Sequence, residues 1–278
     1  MRYGMLILSL LGSLGICLGT NSFAGLNWLW LLPLCFVGCF IVILALAFLI
    51  LWFLCLAVDT EKPQEQDNPF YRWVTQNFCQ LAMWVLLMRV HRKGMEKLPK
   101  DGRYLLVCNH INDLDPVTLL AHFPKSQLAF ISKRENSGML FVGKLMHRLM
   151  CQLINRENDR EALRTIITCI DMLKKDMVSV AVFPEGYTSM DGLLHPFRSG
   201  VFKIAQKANV PIVVCTIQNT NKVFKNAKRL KATHVHLHLL DVLYPQDWAD
   251  MTTVDISNKV HAMMAEDLGP DLVLQENP

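Results

Sequence analysis

At 278 residues, with 52% hydrophobic side chains and a net charge of +4, the chain has room for one globular domain and an apolar appendage. The mild positive charge suits an anionic surface or substrate, and without a recognisable nucleic-acid-binding motif it gives no case for a nucleic-acid partner. Nine cysteines without a C-x-x-C pair indicate neither a disulfide framework nor a zinc site, so a reducing, cytosolic setting is expected for the domain.

The hydropathy excess lies at the front. Tyr3–Thr20 and Leu26–Val58 contain no charged residue. The second run exceeds the roughly 20 residues needed to span a bilayer, so it tilts, kinks near Pro33 or extends into the interface. Trp28, Trp30 and Trp52 suit interfacial anchors. The short connector favours a helical hairpin. A second reading makes the first run a signal peptide with Ser22-Phe23-Ala24 as its cleavage site. Either way the remainder stays in the cytoplasm, and Lys62, Arg72, Arg89, Arg92 and Lys93 after the second run agree with the positive-inside rule.

Asp59–Pro69 is polar with two prolines and reads as a linker. Phe70–Val90 then shows helical apolar spacing through Phe70, Trp73, Val74, Phe78, Leu81, Val85 and Leu86, which suits a helix that packs on the domain or lies in the membrane interface. The expected division is a membrane-anchoring hairpin over 1–58, a linker and amphipathic interfacial helix over 59–92, and a globular domain over 93–278.

From Gly94 onward strand and helix patterns alternate. Leu105–Cys108, Leu128–Ser132, Val178–Phe183, Ile212–Ile217 and Val235–Leu240 read as strands; Gly138–Met150, Asp159–Lys175 and Val201–Asn209 read as helices, the second capped by Asn158 or Asp159. Such alternation predicts an α/β domain with its sheet covered by helices.

Within it, Cys108-Asn109-His110-Ile111-Asn112-Asp113-Leu114-Asp115-Pro116 runs from the end of a strand into a helix, where open α/β sheets bind ligands. His110 and Asp115 are five apart. On a helix that spacing turns side chains roughly 140° away from each other, and on a strand it puts them on opposite faces. Only a turn brings them together, and Asn112, Asp113 and Pro116 favour one. A histidine held by a carboxylate is a general base. The competing reading makes Asp115-Pro116 a helix cap followed by proline at the first helical position. His236 and Asp241 repeat the spacing inside a strand, where the geometry parts them.

Three further stretches stand out. Leu153-Ile154-Asn155-Arg156 ends an apolar run in an arginine, either a solvated strand end or a bidentate anion ligand. Phe183-Pro184-Glu185-Gly186-Tyr187-Thr188-Ser189 is a strand ending in a glycine-bearing turn, where Glu185 can simply bond backbone amides. Val210-Pro211-Ile212 marks a helix end and strand start. His234, His236 and His238 share one strand face, and structural or exposed histidines fit better there than a metal site. The basic run Lys222–Lys231 fits a solvated loop near anionic headgroups.

Together these residues resemble the 1-acylglycerol-3-phosphate acyltransferases, the PlsC-like lysophospholipid acyltransferases, over roughly Lys93 to Ile217. Asn109-His110-x-x-x-x-Asp115 is similar to their N-H-x-x-x-x-D motif. Leu153–Arg156 resembles the end of G-x-x-F-I-x-R, with Met150 in the glycine's place. Phe183–Gly186 matches F-P-E-G, and Val210-Pro211-Ile212 the fourth motif. The third motif usually continues Thr-Arg-Ser, whereas Tyr187-Thr188-Ser189 stands here.

The resemblance implies a mixed sheet and a membrane-bound O-acyltransferase of phospholipid biosynthesis. It makes His110 and Asp115 catalytic, with Asn109 and Pro211 supporting. Arg156, Glu185 and Gly186 are implied at the substrate phosphate, and Lys133, Arg134 or Arg198 would replace the missing arginine. His110 would deprotonate the 2-hydroxyl of 1-acylglycerol 3-phosphate, which attacks the thioester of acyl-CoA or acyl-carrier protein. A thioester is already activated, so neither a metal nor another cofactor is required. Lyso-ornithine lipid, glycerol 3-phosphate or another lysophospholipid are alternative acceptors, and a non-catalytic lipid-binding protein is the alternative of a different class. The implied location is the cell inner membrane, with the catalytic domain cytoplasmic.

Overall fold

The computed structural model describes residues 1–155 and 158–274, which fall into two units divided between Glu61 and Lys62. The first unit holds helices α1 (Arg2–Gly19) and α2 (Trp28–Leu56), both long and apolar enough to cross a membrane. At about 1.5 Å per residue, α2 exceeds the roughly 30 Å of a bilayer's hydrocarbon. The helices pack through a face of α1 with small side chains: Ser9, Ser13 and Cys17 are buried, and a Cβ on Gly12 would come within 3.1 Å of Cys39 Sγ. Ser9 and Ser13 donate to the carbonyls of Met5 and Leu10, so neither hydroxyl is left unsatisfied in apolar surroundings.

In the second unit, Asn68 accepts from the Tyr71 N–H and Pro69 opens α3 (Pro69–Val85). The helix expected to reach Val90 stops early, because Leu87 takes a left-handed φ of +55° and Met88–Lys93 becomes strand β1. Pairing with a distant strand outweighs the helical spacing there. Six further strands and six further helices complete the unit as described: β2 (Leu105–Cys108), α4 (Leu114–His122), β3 (Leu128–Lys133), α5 (Val142–Arg148), β4 (Gln152–Ile154), α6 (Asp159–Lys174), β5 (Ser179–Val182), α7 (Lys203–Ala208), β6 (Ile212–Gln218), α8 (Val223–Ala227), β7 (Thr233–Leu243) and α9 (Thr253–Leu268). Asn158 caps α6 by accepting from two amides, and a Thr252–Asp255 capping box starts α9, a helix the sequence reading did not anticipate.

The strands form one mixed sheet in the order β1-β7-β6-β2-β5-β3-β4. Among the described strands only the β6–β7 pair is antiparallel. Central strands are apolar on both faces: Leu106 and Cys108 of β2 face α3 and α4, while Leu105 and Val107 face α6, α7 and α9. The adjacent strands β2 and β5 lead into α4 and α7 on opposite faces. Their C-terminal ends therefore open a crevice, the place where such sheets bind ligands.

Arg72 fixes α3 to this sheet. Only 4% exposed, it pairs with Asp67 through two bonds of 2.7 Å and donates to the carbonyl of Leu128 at 3.0 Å. Removing one partner of such a pair strands a buried charge. Arg72→Ala is expected to lower the unfolding free energy by about 3–5 kcal/mol, measured by chemical denaturation of the detergent-solubilised chain. A loss below about 1 kcal/mol, the scale of an exposed pair, would show that the pair holds nothing.

Candidate active site

Asn109 and His110 follow the last residue of β2. Asn109 is buried and bonds β6 in both directions, accepting from the Ile217 N–H at 2.7 Å and donating to its carbonyl at 2.9 Å. This clamps the two strand ends together just beyond their backbone ladder. His110 lies flat on the Phe183 ring, with centroids 4.1 Å apart, and its side chain is 14% exposed.

The turn after His110 closes around Asp115. Its Oδ2 accepts from the amides of Ile111 and Asn112, at 2.7 and 2.8 Å, and from His110 Nδ1 at 2.9 Å. Thr220, just past the end of β6, donates to the other oxygen. Asp115 is fully buried inside the first turn of α4, and its bonds go to the turn and the imidazole rather than to the helix amides, so it is not the cap. Four donors converge on an acceptor-only carboxylate. The His110 proton therefore sits on Nδ1 and leaves the Nε2 lone pair available. Thr188 Oγ1 lies 2.9 Å from Nε2.

Glu185 fastens the second loop to the first. Its side chain accepts from the His110 N–H at 2.7 Å and the His195 N–H at 3.2 Å. Ser189 adds two donors, N–H and hydroxyl, to the His110 carbonyl. Glu185 is 1% exposed, and burial pushes its carboxyl up to about 7. Through these bonds it organises the backbone of both loops. Gly186 has φ +83°, and a Cβ there would fall 2.8 Å from Arg198 Nε, so Arg198 lies directly across the glycine. Its guanidinium-bearing side chain is exposed, while its N–H is anchored on the Pro184 carbonyl. A second relay flanks it: Tyr187 Oη is 2.8 Å from His195 Nδ1, and His195 Nε2 is 2.8 Å from Asp191.

The remaining sequence candidates lie elsewhere. Lys133 and Arg134 are exposed where β3 ends, one strand beyond β5, and Arg134 faces Glu161 of α6 at 3.6 Å. Pro211 precedes β6 and its carbonyl accepts from the Leu105 N–H, which puts it at the opposite end of the sheet from His110. Arg156 falls outside the described residues. Thr220, Thr188 and Phe183 enter the site without having been singled out for it. Thr188 and Phe183 had a signal in their place beside Glu185; Thr220, 105 residues from Asp115, had none. On the outer face of β7, His91 of β1 joins the histidine row, 2.8 Å from His234; among the described residues no group suits a metal ion.

Residues 89–218 match the family model described as Acyltransferase. The chain carries a domain of this acyltransferase family. It is 30% identical over 166 residues to a 1-acyl-sn-glycerol-3-phosphate acyltransferase of Salmonella typhimurium, covering 59% of this chain and 66% of that protein. A 1-acyl-sn-glycerol-3-phosphate acyltransferase of Cocos nucifera is 26% identical over 189 residues, 68% of this chain and 60% of the relative. A chloroplastic one of Brassica napus is 31% identical over 155 residues, 55% and 44%. The chain thus spans between 44% and 66% of the length of these relatives. The crystal structure of the 1-acyl-sn-glycerophosphate acyltransferase PlsC from Thermotoga maritima superposes with a TM-score of 0.62 at 22% identity, covering 82% of this chain and 89% of that one. That likeness shows that the acyltransferase domain and its mixed α/β sheet share the PlsC fold.

Glu185 gives the acyltransferase domain a pH signature. Its carboxyl is raised from an ordinary 4.5 to about 7 in the folded chain. The stabilisation this group contributes is complete below the unfolded value and is lost as pH rises through the folded one. Glu185→Gln removes that titration. Thermal unfolding between about pH 5 and 8 should show the wild type losing stability relative to the variant as pH rises; parallel profiles would mean that Glu185 is not coupled to folding.

Proposed function

We propose that the acyltransferase domain moves a fatty acyl group from acyl-CoA or acyl-carrier protein to the 2-hydroxyl of 1-acylglycerol 3-phosphate, giving phosphatidic acid for phospholipid biosynthesis. One observation carries this reading: the His110 ring, fixed by Asp115 at 2.9 Å and by the Phe183 face, turns Nε2 away from Asp115, where Thr188 Oγ1 lies 2.9 Å away. A nitrogen so held removes a proton from a hydroxyl as it attacks a thioester carbonyl, and Asp115 stabilises the imidazolium that results. The thiolate leaves with that proton, so the chemistry needs neither a metal nor an organic cofactor. The names of the relatives support the acceptor.

The acceptor's phosphate needs a cation near His110. Arg198 is the exposed guanidinium placed on the Glu185–Gly186 turn, and its fork suits a phosphate's oxygens. The two apolar helices of the first unit are consistent with membrane association, and an inner-membrane location with a cytoplasmic catalytic domain completes the proposal. Arg89, Arg92 and Lys93 of β1 remain exposed to follow the positive-inside rule, whereas Arg72 is bound to Asp67.

The test uses the full chain in lipid vesicles with a panel of lysolipids, both thioester donors, and mass spectrometry of the product. His110→Ala should lower turnover by roughly 10²–10⁴-fold, the scale of general-base catalysis, and Asp115→Asn should come close to it by losing the ring's orientation. Near-normal transfer by His110→Ala at equal expression would overturn the base assignment. Arg198→Ala should raise KM for 1-acylglycerol 3-phosphate by about tenfold or more with kcat nearly kept. If the wild type binds lysolipid yet releases no thiol from acyl-CoA, the domain binds lipid without catalysis.

A further inference from the structure

The histidine row of β7 and the start of the basic run at Lys222 take no part in the chemistry above, yet they meet beside the crevice. Strand β7 runs antiparallel to β6, so its first residues lie where β6 ends, next to the loop whose Thr220 touches Asp115. Asn219 of that loop ties the two stretches together. Its side chain donates to the His234 carbonyl at 3.1 Å and accepts from Lys222 Nζ at 2.7 Å. Asn221 lies against the loop after β5, where a Cβ on Gly192 would fall 2.6 Å from its Nδ2. The row therefore continues the wall of the crevice sideways along the sheet.

The pairing of β1 with β7 makes this face strongly basic. Its register sets Arg89 beside His234, His91 beside His236 and Lys93 beside His238, and alternate residues of a strand point to one side of the sheet. The His91 ring stacks on those of His234 and His236, with centroids 5.1 and 5.3 Å apart. The 2.8 Å contact between His91 Nε2 and His234 Nδ1 needs one neutral ring, because two imidazoliums would set donor against donor. Partial burial, then His91, His238 and His234, hold the His236 imidazole below its ordinary value. Asp267 of α9 reaches only the far end of the row, where it binds Thr216 and His238. Arg89, His91, His234 and Lys222 are exposed. An anion placed among them gains charge-assisted hydrogen bonds and lets a neutral ring take up a proton.

Distance decides which anion belongs there. In the strand order, β7 and β1 stand two and three places from β2, roughly 10 and 14 Å at the usual strand spacing. The phosphate of 1-acylglycerol 3-phosphate hangs on the carbon next to the one bearing the reacting hydroxyl, so it stays near His110. A thioester donor is different, because a pantetheine arm separates its sulfur from its phosphate. We propose that Arg89, His91, His234 and His236, with Lys222 at the crevice end, hold the phosphate on the donor's pantetheine arm. The arm then runs along the crevice wall and brings its thioester to His110. This assignment rests on the transferase reading above. CoA and acyl-carrier protein both carry that phosphate, so the face recognises the chemistry they share.

The experiment titrates the full chain in detergent–lipid micelles with pantetheine, 4′-phosphopantetheine and CoA by calorimetry. It also measures KM for acyl-pantetheine, acyl-CoA and acyl-carrier protein at saturating lysolipid. The wild type should bind 4′-phosphopantetheine about tenfold or more tighter than pantetheine, the scale of a charge-assisted hydrogen bond. That comparison needs no variant, so it holds whatever a substitution does to folding. The triple variant Arg89→Gln, His91→Gln, His234→Gln should lose the advantage, and its KM for the phosphate-bearing donor should rise about tenfold or more toward that for acyl-pantetheine. A rise for acyl-CoA alone assigns the site to CoA, and a rise for acyl-carrier protein alone assigns it to the carrier. Equal wild-type binding of 4′-phosphopantetheine and pantetheine, or unchanged KM ratios in the variant, overturns the proposal and leaves the transferase reading standing. A variant that keeps CoA binding but loses binding to anionic phosphatidylglycerol vesicles overturns it in favour of a membrane contact. If no lysolipid is acylated while the phosphate advantage is present and lost in the variant, the phosphate site stands and the transferase reading falls.

Discussion

The site depends on two buried carboxylates that act on backbone. Strands that end at the same edge of a parallel sheet leave their loops' N–H groups without ladder partners, and a buried N–H without a partner is costly. Asp115 takes the amides of Ile111 and Asn112, and Glu185 takes those of His110 and His195. Those bonds fix the loop shapes. The His110 side chain is positioned as a consequence, because its own amide is tied to Glu185 and its own ring to Asp115. The two carboxylates then diverge in character. Asp115 gathers two further donors, Thr220 and the imidazole. Glu185 has fewer, and burial prevails, which lifts its proton affinity.

The same logic explains how far apart the contributing segments are. The loop after β2 supplies His110 and Asp115, the loop after β5 supplies Glu185, Thr188 and Arg198, and the end of β6 supplies Thr220 and the carbonyl for Asn109. These three strands are neighbours in space though not in sequence order. The three loops thus converge on His110 and its supports.

Much of this was legible because the physics is local. The near-continuous apolar runs of β2, β5 and β6 announce strands buried on both faces, and the polar turn at Asn112–Asp113 is what lets His110 and Asp115 meet, whereas His236 and Asp241 lie within the single strand β7. Met150 is a subtler case: it stands where the motif has glycine and takes φ +63° with its side chain buried. The chain accepts a left-handed, non-glycine backbone there, a cost on the order of 1 kcal/mol, which apolar burial of the side chain can offset. What was illegible needed tertiary pairing. Nothing in Met88–Lys93 distinguishes a helix tail from a strand until β7 offers its register, and nothing near Thr220 mentions Asp115.

The departure of the third motif is where sequence and geometry inform each other most. Read along the chain, Tyr187-Thr188 is a missing arginine and weakens the case for a phosphate ligand. Read in space, the two residues serve different sites: Tyr187 belongs to the His195–Asp191 relay, while Thr188 meets His110 Nε2. A threonine is short and neutral, so it can approach Nε2 as a donor, where a guanidinium would set a permanent charge beside the ring. Arg198, whose backbone is pinned to Pro184 and whose side chain crosses Gly186, is the cation proposed above for the phosphate. On the proposed reading, the departure from the motif thus separates proton transfer at His110 from anion binding at Arg198.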